Sequence, residues 1–171
     1  MLAYSLLVIS ALSFGLGFIF LSNPTDVPFL EYVMPASTSL WDASKILFVS
    51  LFIYGVFEYI MFGKKYPNFI FSKAAPLILA PLVFMFLTYF VDLVIGDVFI
   101  VMHILTFITS IIFAQVLSYY FMQEELYFRL MNVLGTFVIL FGFLALTSYT
   151  IKPALLPIFD PMDEYTKILT R

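Results

Sequence analysis

The side chains able to do chemistry are few in this sequence, because it contains no cysteine and a single histidine, His103. Without thiolates the chain offers no disulfide, no iron–sulfur cluster and no cysteine nucleophile. One histidine is too few for a multi-histidine zinc site or a bis-histidine haem site within this chain. What remains is a short set of polar residues inside long apolar stretches. Ionisable residues in such surroundings are costly, which makes each of them a candidate functional residue.

One group of these residues is predicted to lie near one end of a helical bundle, in an inner polar layer. Its members are Glu58, Lys73, Gln115, Ser118 and Arg129. A carboxylate among cations could contribute to a site for an anionic head group or act as a proton relay. Alternatively, Glu58 pairs with Lys73 or Arg129 and holds the bundle together, which is the interpretation we favour.

Helical spacing gives two stripes of polar residues, each on one face of a helix. The first stripe is Ser50, Tyr54 and Glu58, at i, i+4 and i+8, and the second is Arg129, Asn132 and Thr136, at i, i+3 and i+7. Both stripes include members of the inner layer. The sequence therefore predicts that these charged residues face other helices.

A second group forms a predicted outer polar layer, and its members are Asp42, Lys45, Asp92 and His103. Asp42 and Lys45 are spaced i, i+3 and can pair on one helical face. Asp92 and His103 are brought together if the helices that carry them are antiparallel neighbours. Such a carboxylate–imidazole pair could gate protons or hold a quinone carbonyl. The alternative, which we favour, is a hydrogen-bonded and hydrated histidine near the membrane surface.

The composition indicates which elements must position these side chains. Of 171 residues, 63% are hydrophobic, 20% aromatic and 11% charged, and the mean hydropathy is +1.08. Soluble domains average about 25% charged residues and are less than half apolar. A soluble enzyme, a nucleic-acid-binding protein and a disordered regulator are therefore excluded. The sequence predicts a single-domain, all-α integral membrane bundle.

Five apolar windows have about the 20 residues needed to cross a bilayer. These predicted spans are residues 2–21, 41–63, 72–95, 98–121 and 126–149. We expect the first to be an uncleaved helix, because no basic residue precedes it. Residues 22–40 predict an ordered segment on the membrane surface, and residues 150–171, with three prolines, predict a non-helical tail. In the third span Pro76 is expected in the first turn, and Pro81 is expected to kink the helix.

The basic residues suggest an orientation. The loop after the second span carries Lys64 and Lys65, whereas the loop after the third carries only Asp97. The positive-inside rule then places the two lysines in the cytoplasm, the N-terminus inside and the C-terminal tail outside.

An ordered series of motifs resembles a family of small prokaryotic membrane proteins known only as a domain of unknown function. The motifs are Pro35-x-Ser37-x-Ser39-x-Trp41-Asp42-x-x-Lys45, Phe57-Glu58-Tyr59, Asn68-Phe69-x-Phe71-Ser72-Lys73-Ala74, Gln115-x-x-Ser118-Tyr119 and Pro153-x-x-x-Pro157-x-Phe159-Asp160-Pro161. The resemblance covers about residues 30 to 162. It implies a multi-pass protein of a prokaryotic plasma membrane.

This chain departs from the pattern of that family in its first motif. The family has Asn, Glu, Glu and His where this chain has Ser37, Thr38, Asp42 and Ala43. Any catalytic or binding role of the family at that motif is therefore expected to be weakened or lost here.

Three functions follow from these features. We expect a non-catalytic accessory subunit of a larger membrane complex, for example of respiratory or membrane-oxidase type, because no nucleotide, metal or hydrolase motif is present. The first alternative is a small oligomeric transporter or channel that uses Glu58, Lys73 and Arg129. The second is a small membrane enzyme that acts on lipid or quinone through Asp92 and His103.

The expected partners are membrane lipids and other membrane subunits, with a homo-oligomer possible. No nucleic acid, metal or cofactor is expected, and no catalytic residue is assigned.

Overall fold

The computed structural model describes residues 39–61, 63–95, 100–123 and 128–151. These residues form four α-helices and one short 3-10 turn, with no strand among them. The elements are α1 (Leu40–Met61), the 3-10 turn Gly63–Lys65, α2 (Phe69–Ile95), α3 (Ile100–Gln123) and α4 (Phe128–Ile151).

All four helices are long and apolar enough to cross a membrane. The prediction of an all-helical fold is therefore confirmed for the residues that the structure describes, and the four helices are compatible with a multi-pass membrane protein. The four helices correspond to the second to fifth predicted spans. The predicted first span at 2–21, the surface segment up to residue 38 and the tail from residue 152 lie outside the described residues.

Ser39 sets the start of α1 by capping its first turn. Its side-chain oxygen accepts a hydrogen bond from the backbone N–H of Asp42 at 3.2 Å, and its carbonyl accepts from Ala43 at 3.0 Å. The first N–H groups of a helix lack partners inside the helix, and an N-cap serine supplies one. The Asp42 carboxylate in this first turn also suits the positive end of the helix dipole.

A tight connection joins α1 to α2. The backbone N–H of Tyr66 donates to the carbonyl of Gly63 at 3.1 Å, and that of Phe69 donates to Tyr66 at 3.2 Å. The carbonyl of Asn68 then accepts the N–H of Ser72 at 3.0 Å, so Asn68 occupies the cap position of α2. The helix consequently begins three residues before the predicted start at Ser72.

This early start changes the place of Pro76. Counted from Phe69, Pro76 is the eighth residue of α2 and lies beyond its first turn, so the first-turn prediction is wrong. The helix continues through both Pro76 and Pro81, which are buried. Because proline has no N–H, the carbonyls of Ser72 and Leu77 lose their usual helical donors.

Helix α2 is the centre of the bundle, since it packs against α1, α3 and α4. It is antiparallel to α3, because Phe84 lies against Phe107 and Phe71 against Phe121. It is parallel to α4, because Gly135 lies over Phe71 and Gly142 over Ile78, seven residues further along both helices. This constant register brings two glycines of α4 onto one face of α2.

Gly135 marks the closest approach of α4 to α2. A β-carbon added to it would lie 2.9 Å from Cα of Phe71 and 3.0 Å from its backbone nitrogen. Small residues allow backbones to approach in this way, and close packing drives helix association in membranes.

Asn132 joins the same two helices. Its side-chain amide donates to the carbonyl of Pro67 at 2.5 Å, and its side-chain oxygen accepts the N–H of Phe71 at 3.3 Å. The Phe71 N–H belongs to the first turn of α2 and has no acceptor within that helix. One side chain of α4 therefore completes the cap of α2.

We predict that Gly135→Ala destabilises the bundle, whereas Gly55→Ala does not. At Gly135 the added methyl meets backbone atoms, which cannot move aside without separating the helices. At Gly55 on α1 the nearest atoms, both of the Lys73 side chain, lie 3.9 Å away, which is ordinary contact. Overpacking of this kind costs about 1–3 kcal/mol, while alanine gains up to about 1 kcal/mol over glycine in a helix.

Unfolding of both variants in detergent micelles, followed by helical circular dichroism, tests this prediction. We expect the melting temperature to fall for Gly135→Ala and to stay level or rise for Gly55→Ala. Equal effects of the two substitutions would contradict the close approach at Gly135.

Candidate functional site

The alternating helix directions place the polar residues at two ends of the bundle. The start of α1, the end of α2 and the start of α3 share one end, which carries Asp42, Lys45, Asp92 and His103. The end of α1, the start of α2 and the end of α3 share the other, which carries Glu58, Lys73, Gln115 and Ser118.

At the first of these ends, Asp42 and Lys45 form an ion pair within α1. The Lys45 Nζ and Asp42 Oδ1 atoms are 2.5 Å apart, and the two side chains are 1% and 7% exposed. A lysine this deeply buried is stable only beside an opposite charge. The pair therefore neutralises both groups where α1 begins.

Asp92 and His103 form a second pair, which joins the end of α2 to the start of α3. His103 Nε2 lies 3.0 Å from Asp92 Oδ1, and the side chains are 13% and 5% exposed. One turn deeper, the hydroxyls of Thr88 and Thr106 are 3.0 Å apart. Thr106 also lies 2.9 Å from the carbonyl of His103. These contacts form a short polar ladder between the two helices.

Glu58 and Lys73 form the third pair, which joins α1 to α2 at the opposite end of the bundle. Their side chains are 9% and 15% exposed. The Lys73 Nζ also lies 5.4 Å from the centroid of the Phe69 ring, within the range of a cation–π contact. Of the two partners that the sequence left open for Glu58, the structure places Lys73 beside it.

No contact among the described side chains joins the other predicted members of the inner layer to this pair. Gln115 and Ser118 are buried on α3, and among the described residues no hydrogen bond joins either of them to Glu58 or Lys73. The Ser118 hydroxyl, in a side chain 2% exposed, has no hydrogen-bond partner within the described part of the chain. Arg129 lies in the first turn of α4, and its side chain is outside the described part.

A cavity of about 330 Å³ lies beside the Glu58–Lys73 pair. It is formed between α1, α2 and α4, and its walls are almost entirely apolar. Lys73 is the one charged residue among the described residues that line it, and Gly55 leaves one part of its wall without a side chain. The arrangement provides an apolar space with a cation at its edge.

Large apolar side chains form much of the core between the two polar ends. Leu47 and Ile111 are completely buried there, and Phe48 and Phe84 are nearly so. Phe143 contacts both Phe48 and Phe52 edge to face, with ring centroids 5.1 and 4.9 Å apart. Buried Ser50, Tyr54 and Ser110 also lie on α1 and α3 between these ends, and Ser50 and Ser110 donate to carbonyls of their own helices.

Sequence reasoning did not predict the contacts of three residues that shape these sites. Thr106 follows His103 by three residues and so shares its helical face, a signal that the sequence contains. Asn132 was placed on a polar stripe, but its contact with the start of α2 depends on how non-adjacent helices pack. Gly55 becomes notable only through the cavity beside it.

Metal-binding groups and similarity to known proteins are two further indicators of function. The described residues contain no group of three or more His, Cys, Asp or Glu side chains that could hold a metal ion. Comparison of the chain with protein-family models, curated proteins and solved structures found no match. The functional assignment therefore rests on the three pairs, the cavity and the core.

We predict that Glu58 and Lys73 are energetically coupled. Glu58→Gln or Lys73→Gln alone leaves one charge without its partner, whereas the double variant leaves two neutral amides. The double variant should therefore lose less stability than the sum of the single variants, with a coupling of about 0.5–3 kcal/mol. Unfolding free energies in mixed micelles provide the measurement.

The exposed Lys64→Gln is the matched control for this cycle, and it should change stability by less than about 0.5 kcal/mol. Strict additivity of Glu58→Gln and Lys73→Gln would show that the two side chains do not interact.

At the other end of the bundle, we predict that Asp92→Asn is tolerated better than Asp92→Leu. Asparagine keeps an oxygen that can accept a hydrogen bond from His103, whereas leucine leaves the imidazole without this partner. The additional loss in Asp92→Leu should be about 1–3 kcal/mol. Unfolding free energies in mixed micelles again provide the measurement, and the exposed Thr109→Val on α3 is the control. Similar losses of stability for both Asp92 variants would refute a structural role of the pair.

Proposed function

We propose that this protein is a non-catalytic subunit of a larger membrane complex and acts through its apolar outer surface. The main support is the state of its buried charges. In the described part of the chain, each buried charged side chain has its partner within the same chain, as Asp42–Lys45, Glu58–Lys73 or Asp92–His103. Charges used in this way hold helices in register and leave the outside of the bundle apolar.

The packing of the core supports the same proposal over a transporter. A solute or proton path along the bundle would need polar or hydrated groups between its two ends. Fully buried Leu47 and Ile111 lie there, with the edge-to-face contact of Phe48 and Phe143. The hydroxyls of Ser50 and Ser110 in the same region donate to carbonyls of their own helices. The described helices are therefore better suited to a scaffold than to a conduit.

Helix α4 has the surface best suited to a partner. Only 17% of its apolar window is buried inside the protein, the smallest share of the four helices. Its exposed residues follow helical spacing and form a continuous ridge, namely Leu130, Val133, Phe137, Phe141 and Leu144. A ridge of large apolar side chains can pack into the groove of another membrane helix.

The proposal includes the cellular setting and the family. We place the protein in the plasma membrane of a prokaryote, with its N-terminus in the cytoplasm and its C-terminus outside. Support for the orientation comes from Lys64 and Lys65, both exposed in the turn after α1. The resemblance to the small prokaryotic family stays part of the proposal and rests on the motifs in the sequence.

We predict that the protein co-purifies in stoichiometric amount with larger membrane subunits. The test is purification from native membranes in a mild detergent, with a photo-crosslinking residue at Phe141 on the α4 ridge. A matched probe at Ile60, equally exposed on α1, is the control. We expect one dominant protein adduct from position 141 and little from position 60.

Other outcomes would contradict the proposal or support one of the two alternative functions. A monodisperse lone protomer, with crosslinks to lipid alone at both positions, would contradict it. Solute flux in proteoliposomes that is lost in Glu58→Gln would support the transporter instead. Turnover of a lipid or quinone that is lost in His103→Ala would support the enzyme.

A further inference from the structure

The cavity beside Lys73 has the volume and the lining of a small-molecule site. Its volume of about 330 Å³ falls within the range of small-molecule sites, about 300–1,000 Å³. Such sites are mostly apolar, with a few polar groups that fix the orientation of the ligand. Here the walls include Phe52, Leu77 and Ile139, and the polar group is the ammonium of Lys73.

The mouth of the cavity opens on the outer surface of the bundle. Two of its lining residues, Val56 and Tyr59, are 45% and 43% exposed. Both belong to a helix long and apolar enough to cross a membrane, which favours an opening towards the bilayer. A molecule that enters here comes from the bilayer, and its buried part must be hydrocarbon.

The charge near the cavity favours an anionic head group. Lys64 and Lys65 are exposed in the turn that joins α1 to α2, at the same end of the bundle as Lys73. Described residues 54–73 contain these three lysines and one acidic residue, Glu58. The described part of this end therefore carries an excess of positive charge beside an apolar opening.

We propose that the cavity holds one hydrocarbon chain of an anionic phospholipid, with its phosphate held by Lys73 and the Lys64–Lys65 turn. The chain would lie along α1 between Tyr59 and Leu51, eight residues apart, a length of about 12 Å at 1.5 Å per residue. The missing side chain of Gly55 provides part of that space. This lipid site is independent of the proposed role in a complex.

Fluorescence quenching by brominated lipids tests the site. The chain has one tryptophan, Trp41, so Phe52→Trp in a Trp41→Phe background places a single reporter in the cavity wall. The protein is reconstituted in phosphatidylcholine vesicles with increasing fractions of brominated-chain phosphatidylglycerol, or of brominated-chain phosphatidylcholine as the neutral counterpart. We expect phosphatidylglycerol to bind about fivefold more tightly, the effect of one lysine near an anionic surface.

Two kinds of variant test the cavity and the head-group site independently. Gly55→Leu fills the space and should reduce quenching by both lipids, whereas Gly55→Ala, whose methyl makes ordinary contacts, should not. The double variant Lys64→Gln with Lys65→Gln, which removes the excess positive charge of the exposed turn, should remove most of the preference for phosphatidylglycerol. If Gly55→Leu does not fold, Ile139→Phe fills the same cavity from α4.

A reporter outside the cavity completes the design. Phe141→Trp on the outer face of α4 should respond equally to both lipids. Equal quenching of the position-52 reporter by the two lipids, unchanged by either filling variant, would overturn the site. Its complete protection from both lipids would also overturn the site and would show that protein covers the cavity. Neither outcome bears on co-purification with larger subunits, so the two proposals fail separately.

Discussion

A polar side chain inside an apolar bundle is stable only when its partner is part of the same bundle, and this requirement governs the structure. Lys45 is almost completely buried and lies 2.5 Å from Asp42, and Thr88, fully buried, lies 3.0 Å from Thr106. Removing any such partner would leave a desolvated group with neither water nor protein to bind it. The polar contacts therefore define the register of the helices, and the apolar contacts fill the space between them.

Helix α2 meets this requirement on three sides. It receives Glu58 from α1, the Thr106 and His103 contacts from α3, and Asn132 from α4. The glycines of α4 then allow the backbone of that helix to approach. A helix with so many directional contacts has one position relative to its neighbours, even though Pro76 and Pro81 remove two of its own hydrogen bonds.

Local features were the easier ones to predict from the sequence. Long apolar windows identify membrane helices, and the i, i+3 spacing of Asp42 and Lys45 is enough to bring them together. The pairing of Asp92 with His103 follows from a short connection, which makes consecutive helices antiparallel neighbours. The start of α2 was missed because Asn68 follows a proline in an apparent loop, although asparagine is a common N-cap.

Contacts between helices that are not consecutive could not be predicted in this way. Gly135 lies over Phe71, and Asn132 bonds to Pro67, only because α4 is parallel to α2 at one particular offset. No spacing within either helix specifies that offset. The cavity could not be predicted for the same reason, because its walls come from three helices and its space comes partly from the absent side chain of Gly55.

The two polar ends therefore differ in what surrounds their charged pairs, although similar residues form both ends. At one end the Asp92–His103 pair is backed by the Thr88–Thr106 contact, so its polar groups are turned towards one another. At the other, Lys73 contacts Glu58 and the Phe69 ring and also borders an open apolar cavity. Glu58 neutralises Lys73, and the exposed Lys64 and Lys65 at the same end supply the charge that attracts an anion from outside. Exchange between this bundle and the surrounding membrane is consequently expected at the end that carries Lys73.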